Sequence, residues 1–357
     1  MTTMDVHYRL ATPDDFGRID ELKRRHKWVT RTDEQWRWEY IEKPEPKSLL
    51  LVAEENNNIV GTQALLPIHF RQGSHTFLTA KGEESFLVPG FRGKGILHRM
   101  YVELFSHVGF DEIEVTWAIT GAHKVAIGAG YDNPYDVLRY RVLLQSAKDK
   151  QGPWPIRLAS ISKNVIRSDF SFLSPKSMSY ERGSVLTGVD DVLDLEFISD
   201  VWKSVTRRFP EVVSIDRSLD YLEWRFLRNP WVKHHMIRYA RSSSDRGYLV
   251  YSINQEGGCK VVDAMAVGQS VQIFRNMYKI ALRRAGEMNC REFVDLFLGN
   301  GCILDTQRLT AMQCLLWIRR PLYSGFFFWK NPNLKGNLPY FNTGSWYFTG
   351  LFLEGTS

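Results

Sequence analysis

The chain has 357 residues, more than one ordinary hydrophobic core needs, and its length therefore predicts two domains. Hydrophobic residues make up 44% and charged residues 24% of the sequence, as in folded proteins, which excludes a disordered or fibrous chain. The net charge of +6 is scattered along the sequence, so we expect small phosphorylated molecules and no nucleic acid as partners.

The cysteines and the N-terminal residues predict the compartment. Because the four cysteines form no Cys-x-x-Cys pair, we expect reduced core cysteines, no zinc site and no disulfide framework. The N-terminus carries no signal-peptide pattern, and no run approaches the ~18 apolar residues of a membrane span. The sequence therefore predicts a cytoplasmic protein without a membrane span.

The predicted elements of the first part of the chain mix strands and helices. Residues 8–11 predict a strand, and Thr12 with Pro13 and two acids predicts the start of a helix that ends near residue 25. Further strands are predicted at 49–53, 59–70, 85–88, 113–119 and 137–144, and further helices at 32–41, 96–108 and 123–129.

A glycine-rich, basic turn over residues 92–97 lies between a predicted strand and a predicted helix. Gly93 and Gly95 allow the backbone to approach an anion closely, and Arg92 and Lys94 add positive charge. The N-terminus of the following helix presents N–H groups and a positive dipole end. The turn therefore predicts a pyrophosphate site, with an ordinary tight turn as the alternative.

The order of residues in this turn resembles the acyl-CoA-binding turn of the GNAT superfamily of N-acyltransferases, Arg/Gln-x-x-Gly-x-Gly/Ala. Residues 92–96 match, whereas Leu97 stands where Gly or Ala is usual, as in tandem-domain branches such as the Eis-like acetyltransferases. The resemblance implies an α/β fold with a mixed sheet in tandem GNAT domains. It also implies acetyl-CoA or a longer acyl-CoA as co-substrate, without a metal.

The sequence also repeats itself. Trp38-Glu-Tyr-Ile-Glu-Lys-Pro44 and Trp224-Arg-Phe-Leu-Arg-Asn-Pro230 share a pattern at an offset of 186, and Gly61 and Gly247 open predicted strands at the same offset. Two matches at one offset predict a duplicated domain.

We therefore expect an acyl-CoA-binding domain over residues 1–146, a linker over 147–160 and a degenerate copy over 161–357. At the same offset, the turn of the first copy corresponds to residues 278–281, inside a predicted helix. The second copy is thus predicted to lack the donor site and to shape the acceptor pocket. The first copy is predicted to fold without the second copy.

Acyl transfer to an amine requires a polarised thioester carbonyl and a base for the incoming ammonium. The resemblance implies that a β-bulge before the turn offers the backbone of Phe86, Leu87 and Val88 to the pantetheine and the thioester. It also implies a carboxylate base at Glu83 or Glu84. Strand alternation predicts that these two point to opposite faces, so at most one is catalytic; two solvated charges are the alternative.

The tyrosine that the family often uses as its acid is replaced here by Ala126. Tyr131 is expected in the core. His123 begins the same helix and is a candidate acid or base, with an ordinary surface histidine as the alternative. The thiolate can also leave without an acid.

For the acceptor, the resemblance extends to bacterial chains of this length that acylate nucleotide-linked amino sugars in surface-polysaccharide and lipopolysaccharide synthesis. Candidate contacts in the second copy are Arg217, Trp224, Arg225, Trp329 and Trp346. Two alternatives stay open: an Eis-like enzyme that acetylates aminoglycoside or lysine amines, and a CoA-binding module without catalysis.

Overall fold

The computed structural model describes residues 5–44, 46–107, 113–144, 189–190, 193–254, 256–312, 318–330 and 343–353. The predicted linker lies outside these ranges. The fold is built on one mixed sheet of 13 strands.

The elements of the first half are β1 (His7–Leu10), α1 (Asp15–Arg25), α2 (Asp33–Tyr40), β2 (Leu49–Glu55), β3 (Asn58–Gln72), β4 (His75–Leu87), α3 (Ile96–His107), β5 (Ile113–Thr120), α4 (His123–Gly128) and β6 (Asp132–Leu143).

The elements of the second half are β7 (Val189–Asp190), α5 (Leu195–Arg208), β8 (Val213–Ile215), α6 (Leu219–Leu222) with a π-helical turn (Glu223–Leu227), β9 (Lys233–Ser242), β10 (Asp245–Ile253), β11 (Gly258–Val267), α7 (Ser270–Glu287), β12 (Glu292–Phe297), α8 (Ile303–Met312) and β13 (Ile318–Lys330). Short 3₁₀ turns lie at Pro89–Phe91, Thr343–Ser345 and Gly350–Phe352.

Two layers of helices cover the sheet of the first half. Ala64 and Leu66 on β3 pack with α1 and α2, whereas Leu65 between them packs with α3. This alternation is the period-2 pattern of a strand buried on both faces. We call these the α1 face and the α3 face.

The second half repeats this arrangement, which confirms the predicted duplication. Gly61 pairs with Ala53 of the preceding strand, and Gly247 pairs with Tyr239 in the same way. Thr32 caps α2 and Ser218 caps α6, each accepting a backbone N–H with its side chain. The repeat therefore extends beyond the two motifs found in the sequence.

The two halves exchange their last strands. The sheet order is β1-β2-β3-β4-β5-β13-β6-β12-β11-β10-β9-β7, so β13 pairs with β5 of the first half. In return β6 pairs with β12 of the second half. The sequence predicts that the first copy folds without the second. The exchange of strands argues against this prediction, because each half completes its sheet with a strand of the other.

Trp38 and Trp224 meet where the two halves touch. Their rings stack at 4.5 Å with 12° between the planes. Each indole N–H donates to the backbone carbonyl oxygen of the other tryptophan, at 2.9 and 2.8 Å. The two repeat positions therefore contact each other across a local pseudo-two-fold axis.

Candidate functional site

Strands β4 and β5 separate within the sheet of the first half. Their parallel pairing runs from Leu78 with Ile113 to Lys81 with Trp117. Beyond Lys81, β4 remains paired with β3 as far as Leu87. An opening therefore forms beside the last third of β4, directly before the glycine-rich turn.

A β-bulge lies on β4 at this opening. The register shifts where Glu84 and Ser85 oppose Gln63, and Glu84 has φ of +58°. The Thr62 hydroxyl donates to the Glu84 carbonyl oxygen at 2.8 Å, and the Gln63 amide donates to that of Glu83 at 3.0 Å. Side chains of β3 thus hold the bulge in place.

The bulge changes where the two candidate carboxylates point. Ala80 packs on the α3 face, so Lys81 and Glu83 project from the α1 face, where they form an ion pair. Glu84 also reaches the α1 face, where Lys23 of α1 neutralises it. The predicted alternation to opposite faces is wrong because the left-handed residue interrupts the strand period.

Both carboxylates are buried and paired with cations. Glu84 bonds to Arg31 as well as Lys23, and Arg31 also pairs with Glu39 at 3.0 Å. The Arg31 guanidinium lies 4.8 Å from the centre of the Trp36 ring. The solvated-charge alternative does not describe either glutamate.

The glycine-rich turn has the geometry that the sequence requires of it. Gly93 and Gly95 both have φ of +75°, and no atom lies within 4 Å of the position a Cβ would take at either residue. The turn is exposed, and α3 begins at Ile96 immediately behind it. Arg92 donates from Nε to the Leu87 carbonyl oxygen at 3.0 Å, which links the turn to the end of β4.

The backbone predicted to hold the pantetheine is only partly available. Val88 donates its N–H to Val60 at 2.9 Å and belongs to the ladder with β3. Because an antiparallel ladder alternates, Phe86 also turns its N–H toward β3, and Leu87 turns its N–H to the opening. Of the three predicted residues, Leu87 is therefore the one whose N–H faces the opening.

A cavity of about 720 Å³ passes through the opening from one face of the sheet to the other. On the α3 face its wall includes Leu97, Tyr101, Val125, Ala126 and Tyr131. On the α1 face its wall includes Trp28, Val29, Arg31, Trp231, Phe352 and Leu353. The last three residues belong to the second half, so both halves shape one cavity.

Tyr101 on the α3 face is a functional candidate that the sequence did not reveal. The Tyr101 hydroxyl lies 3.3 Å from Ser85 Oγ and 3.6 Å from the position a Cβ would take at Gly82, so it borders the opening. Burial raises the pKa of Tyr101, and burial also raises that of Tyr131. Both contact Ala126, whose small side chain leaves room for them.

No sequence spacing links Tyr101 to the strand that it faces, which is why only the fold reveals it. His123 is half-buried at the start of α4. Its neighbours Ala122 and Val125 line the cavity, but His123 itself does not.

Of the residues predicted to contact the acceptor, the four whose side chains the structure describes bond within the protein and do not line this cavity. Arg217 forms a fully buried pair with Asp263 at 2.9 Å. Trp224 is stacked on Trp38, and Trp346 packs in the core against Phe70 at 5.3 Å.

Arg225 is also buried, and it donates to the Leu353 carbonyl oxygen at 3.2 Å. It therefore positions a residue of the cavity wall. The side chain of Trp329 lies outside the described part of the structure.

The second half lacks the turn for a different reason from the one predicted. Residues 88–95 connect β4 to α3, whereas only Gly268 and Gln269 connect β11 to α7. The offset of 186 does not persist beyond β10, so residues 278–281 are not the equivalent of the turn. The segment has been shortened, and no glycine-rich loop precedes α7.

Among the described residues, no group of three or more His, Cys, Asp or Glu side chains is placed to hold a metal ion. None of the described helices combines the length and apolar character needed to cross a bilayer.

No protein-family model and no curated protein sequence matches the chain. Solved structures are similar to it. A GCN5-related N-acetyltransferase from Kribbella flavida has a TM-score of 0.57 at 11% identity, over 91% of this chain and 71% of that one. Another from Anabaena variabilis has a TM-score of 0.57 at 10% identity, over 92% and 73%. A tandem GNAT protein from the clavulanic acid biosynthesis pathway has a TM-score of 0.54 at 10% identity, over 93% and 100%.

Proposed function

We propose that this chain, which has a tandem GNAT fold, transfers an acyl group from acyl-CoA to a primary amine. The observation that carries the proposal is the cavity that crosses the sheet between β4 and β5, directly beside the glycine-rich turn. A donor held on the α3 face and an acceptor held on the α1 face would meet inside this opening.

Residues 1–146 would bind the donor. The exposed turn with two left-handed glycines and the start of α3 offers N–H groups to a pyrophosphate. Arg92 and Lys94 add charge there. The Leu87 N–H and the bulge would then face the pantetheine and the thioester, as expected for acetyl-CoA or a longer acyl-CoA.

Two side chains would handle the protons. We assign the base to Glu83, since the cation that it pairs with is Lys81, at the residue where the strands separate. Glu84 is held by two cations and instead secures the bulge. Tyr101, which keeps its proton because burial raises its pKa, would donate to the departing thiolate on the α3 face.

The acceptor would enter from the α1 face, where residues 161–357 supply part of the wall. Trp28 is half exposed at this rim, and Trp231 lies beside Arg31 with 5.8 Å between guanidinium carbon and ring centre. Aromatic rings beside cations suit an acceptor that combines a flat ring with phosphate. We therefore retain the amino group of a nucleotide-linked amino sugar, in surface-polysaccharide synthesis, as the proposed acceptor.

The charges in the cavity favour this acceptor over an Eis-like one. Three cations, Lys23, Arg31 and Lys81, line the cavity together with the two glutamates. A polycationic aminoglycoside would need an excess of negative charge, which this lining does not supply.

A thiol-release assay with purified protein tests the proposal. Acetyl-CoA and longer acyl-CoAs are each offered with nucleotide-linked amino sugars, aminoglycosides and lysine peptides. We expect release that depends on a nucleotide-linked amino sugar. Turnover with aminoglycosides alone would establish the Eis-like alternative, and CoA binding without release with any amine would establish the binding module.

A further inference from the structure

We propose that Lys81 is itself an acyl acceptor, so that the chain acylates its own active-site lysine. The proposal rests on the proposed function, since it requires acyl-CoA in the cavity. It adds a covalent modification site to the transfer reaction.

The position of Lys81 is the first argument. It is the last residue of β4 that pairs with β5, so its side chain emerges where the opening begins. The side chain projects to the α1 face and lines the cavity, with its ammonium 5.8 Å from the centre of the Trp117 ring. A thioester that passes through the opening therefore ends beside this amine.

The partner of Lys81 is the second argument. Its ammonium pairs with Glu83, the carboxylate that we assign as base for the external amine. Both side chains are almost fully buried, at 7% and 2% exposure. The lysine thus shares its proton acceptor with the external substrate and occupies the same face of the sheet.

The chemistry of this step is the same as for the external amine. Glu83 takes one proton from the Lys81 ammonium, and the nitrogen attacks the thioester carbonyl carbon. A C–N bond forms and the C–S bond breaks. CoA leaves as the thiol after taking a second proton, and an amide with one N–H remains. No oxidant, metal or further reactant is needed.

The modification would act on the same site. An acylated Lys81 carries no charge, so buried Glu83 loses its ion pair with Lys81, and the acyl group fills part of the cavity. We therefore expect acylation of Lys81 to slow transfer to the external amine.

Other lysines provide internal controls in the same molecule. Lys43 is as buried as Lys81, but its ammonium bonds to the carbonyl oxygens of Pro44 and Pro46 outside this cavity. Lys124 is exposed on α4 and reports uncatalysed acylation by the reagent. Lys23 also lines the cavity, but its partner Glu84 is bonded to Arg31 as well and is not the carboxylate assigned as base.

The experiment incubates the full chain with acetyl-CoA alone and follows acetylation by intact mass and peptide mapping. We expect one acetyl group at Lys81, formed on the order of a hundredfold faster than at Lys124 because the bound thioester lies beside it. Lys43 and Lys23 should stay unmodified. Glu83→Gln should slow labelling by about a hundredfold, and Lys81→Arg should abolish it.

CoA binding by calorimetry and thermal melting are measured for each variant, so that loss of labelling is not mistaken for loss of fold. CoA binding and transfer to an external amine with Lys81 unlabelled would overturn this inference alone. Labelling of Lys81 no faster than Lys124, or unaffected by Glu83→Gln in a folded variant, would also overturn it. Failure to bind CoA would overturn both proposals.

Discussion

At the residue scale, the least expected feature is Glu84, which adopts φ of +58° in the middle of a strand. A non-glycine residue in this conformation costs roughly 1–3 kcal/mol, so its surroundings must hold it there. Lys23, Arg31 and the hydroxyl of Thr62 provide that restraint. The strain coincides with the opening between β4 and β5, as strained residues often coincide with sites of function.

Replacement of Gly95 by alanine should weaken CoA binding by about tenfold or more without unfolding the chain. A side chain fits in the open space there, but φ of +75° disfavours any L residue by roughly 1–2 kcal/mol. The turn would therefore change shape. Calorimetric titration with CoA measures the effect. Gly90→Ala is the matched control, since Gly90 has open space and no positive φ; equal affinities for both variants would remove the turn from the binding site.

Glu83→Gln should mainly affect catalysis, whereas Glu84→Gln should mainly affect stability. We expect Glu83→Gln to reduce kcat by about a hundredfold and higher pH to restore part of it, because a general base is lost. Glu84→Gln should mainly lower stability, by roughly 3 kcal/mol, since two cations lose a buried partner. Steady-state kinetics and denaturant titration separate the two. The reverse pattern would make Glu84 the base.

Tyr101→Phe should lower kcat with little effect on CoA affinity. The loss should be on the order of a hundredfold if the hydroxyl protonates the thiolate. Tyr131→Phe is the matched control, because Tyr131 lines the same cavity but its hydroxyl lies at Thr116, at 3.0 Å, and not at Ser85 of the bulge. An unchanged kcat for Tyr101→Phe would mean that the thiolate leaves without an acid.

At the element scale, α8 is joined to the sheet by a buried charge cluster. Arg308 on α8 donates to Asp295 of β12 at 2.6 Å and to Asp305 at 3.2 Å, and also to the carbonyl oxygen of Phe348 at 2.9 Å. One buried cation therefore faces two carboxyl groups. The cluster ties the helix, the strand and the C-terminal segment together.

This cluster predicts that stability falls as the pH rises toward 8. Burial raises the pKa of Asp305 to about 8, so the folded state keeps a proton that the unfolded state releases near pH 4. The contribution is complete below about pH 4 and is lost as the pH approaches 8, by up to about 1.4 kcal/mol per pH unit.

Thermal melts from pH 5 to 8.5 check this prediction, and Asp305→Asn should show a flatter profile than the native chain. Asp295, whose pKa is also raised by burial, contributes in the same direction and remains in the variant. Parallel profiles for the two proteins would contradict the assignment to Asp305.

At the scale of the whole molecule, the exchange of β6 and β13 makes each half depend on the other. Without residues 147–357, β5 would lose β13, and β6 would lose both of its neighbours. The stack of Trp38 on Trp224 would be lost as well. The second half is therefore part of the fold of the first half.

A fragment of residues 1–146 should consequently fail to fold as a monomer. Its exposed strand edges should make it aggregate, because unpaired edges are templates for association. Circular dichroism and light scattering of the fragment check this expectation. Co-expression with residues 147–357 is the matched control and should restore a soluble complex. A soluble, cooperatively unfolding fragment would show that the exchange is dispensable.

The sequence by itself determined the elements, the glycine-rich turn and the duplication. These features are local: a helix cap, a strand period or a left-handed glycine depends on residues close together in the chain. Two strands begin earlier than predicted. β4 begins at His75 instead of residue 85 and pairs with β3 from there, and β6 begins at Asp132 instead of residue 137, where Asp132 pairs with β13.

Only the tertiary structure decided how the cavity is composed. The strand exchange, the placement of Tyr101 beside Ser85, and the wall built by Phe352 and Leu353 join residues far apart in the chain. Arg217, Trp224 and Trp346 have the residue types of a binding site, yet packing buries them. Composition cannot distinguish these outcomes, because the same aromatic and basic side chains serve equally well in a core or in a pocket.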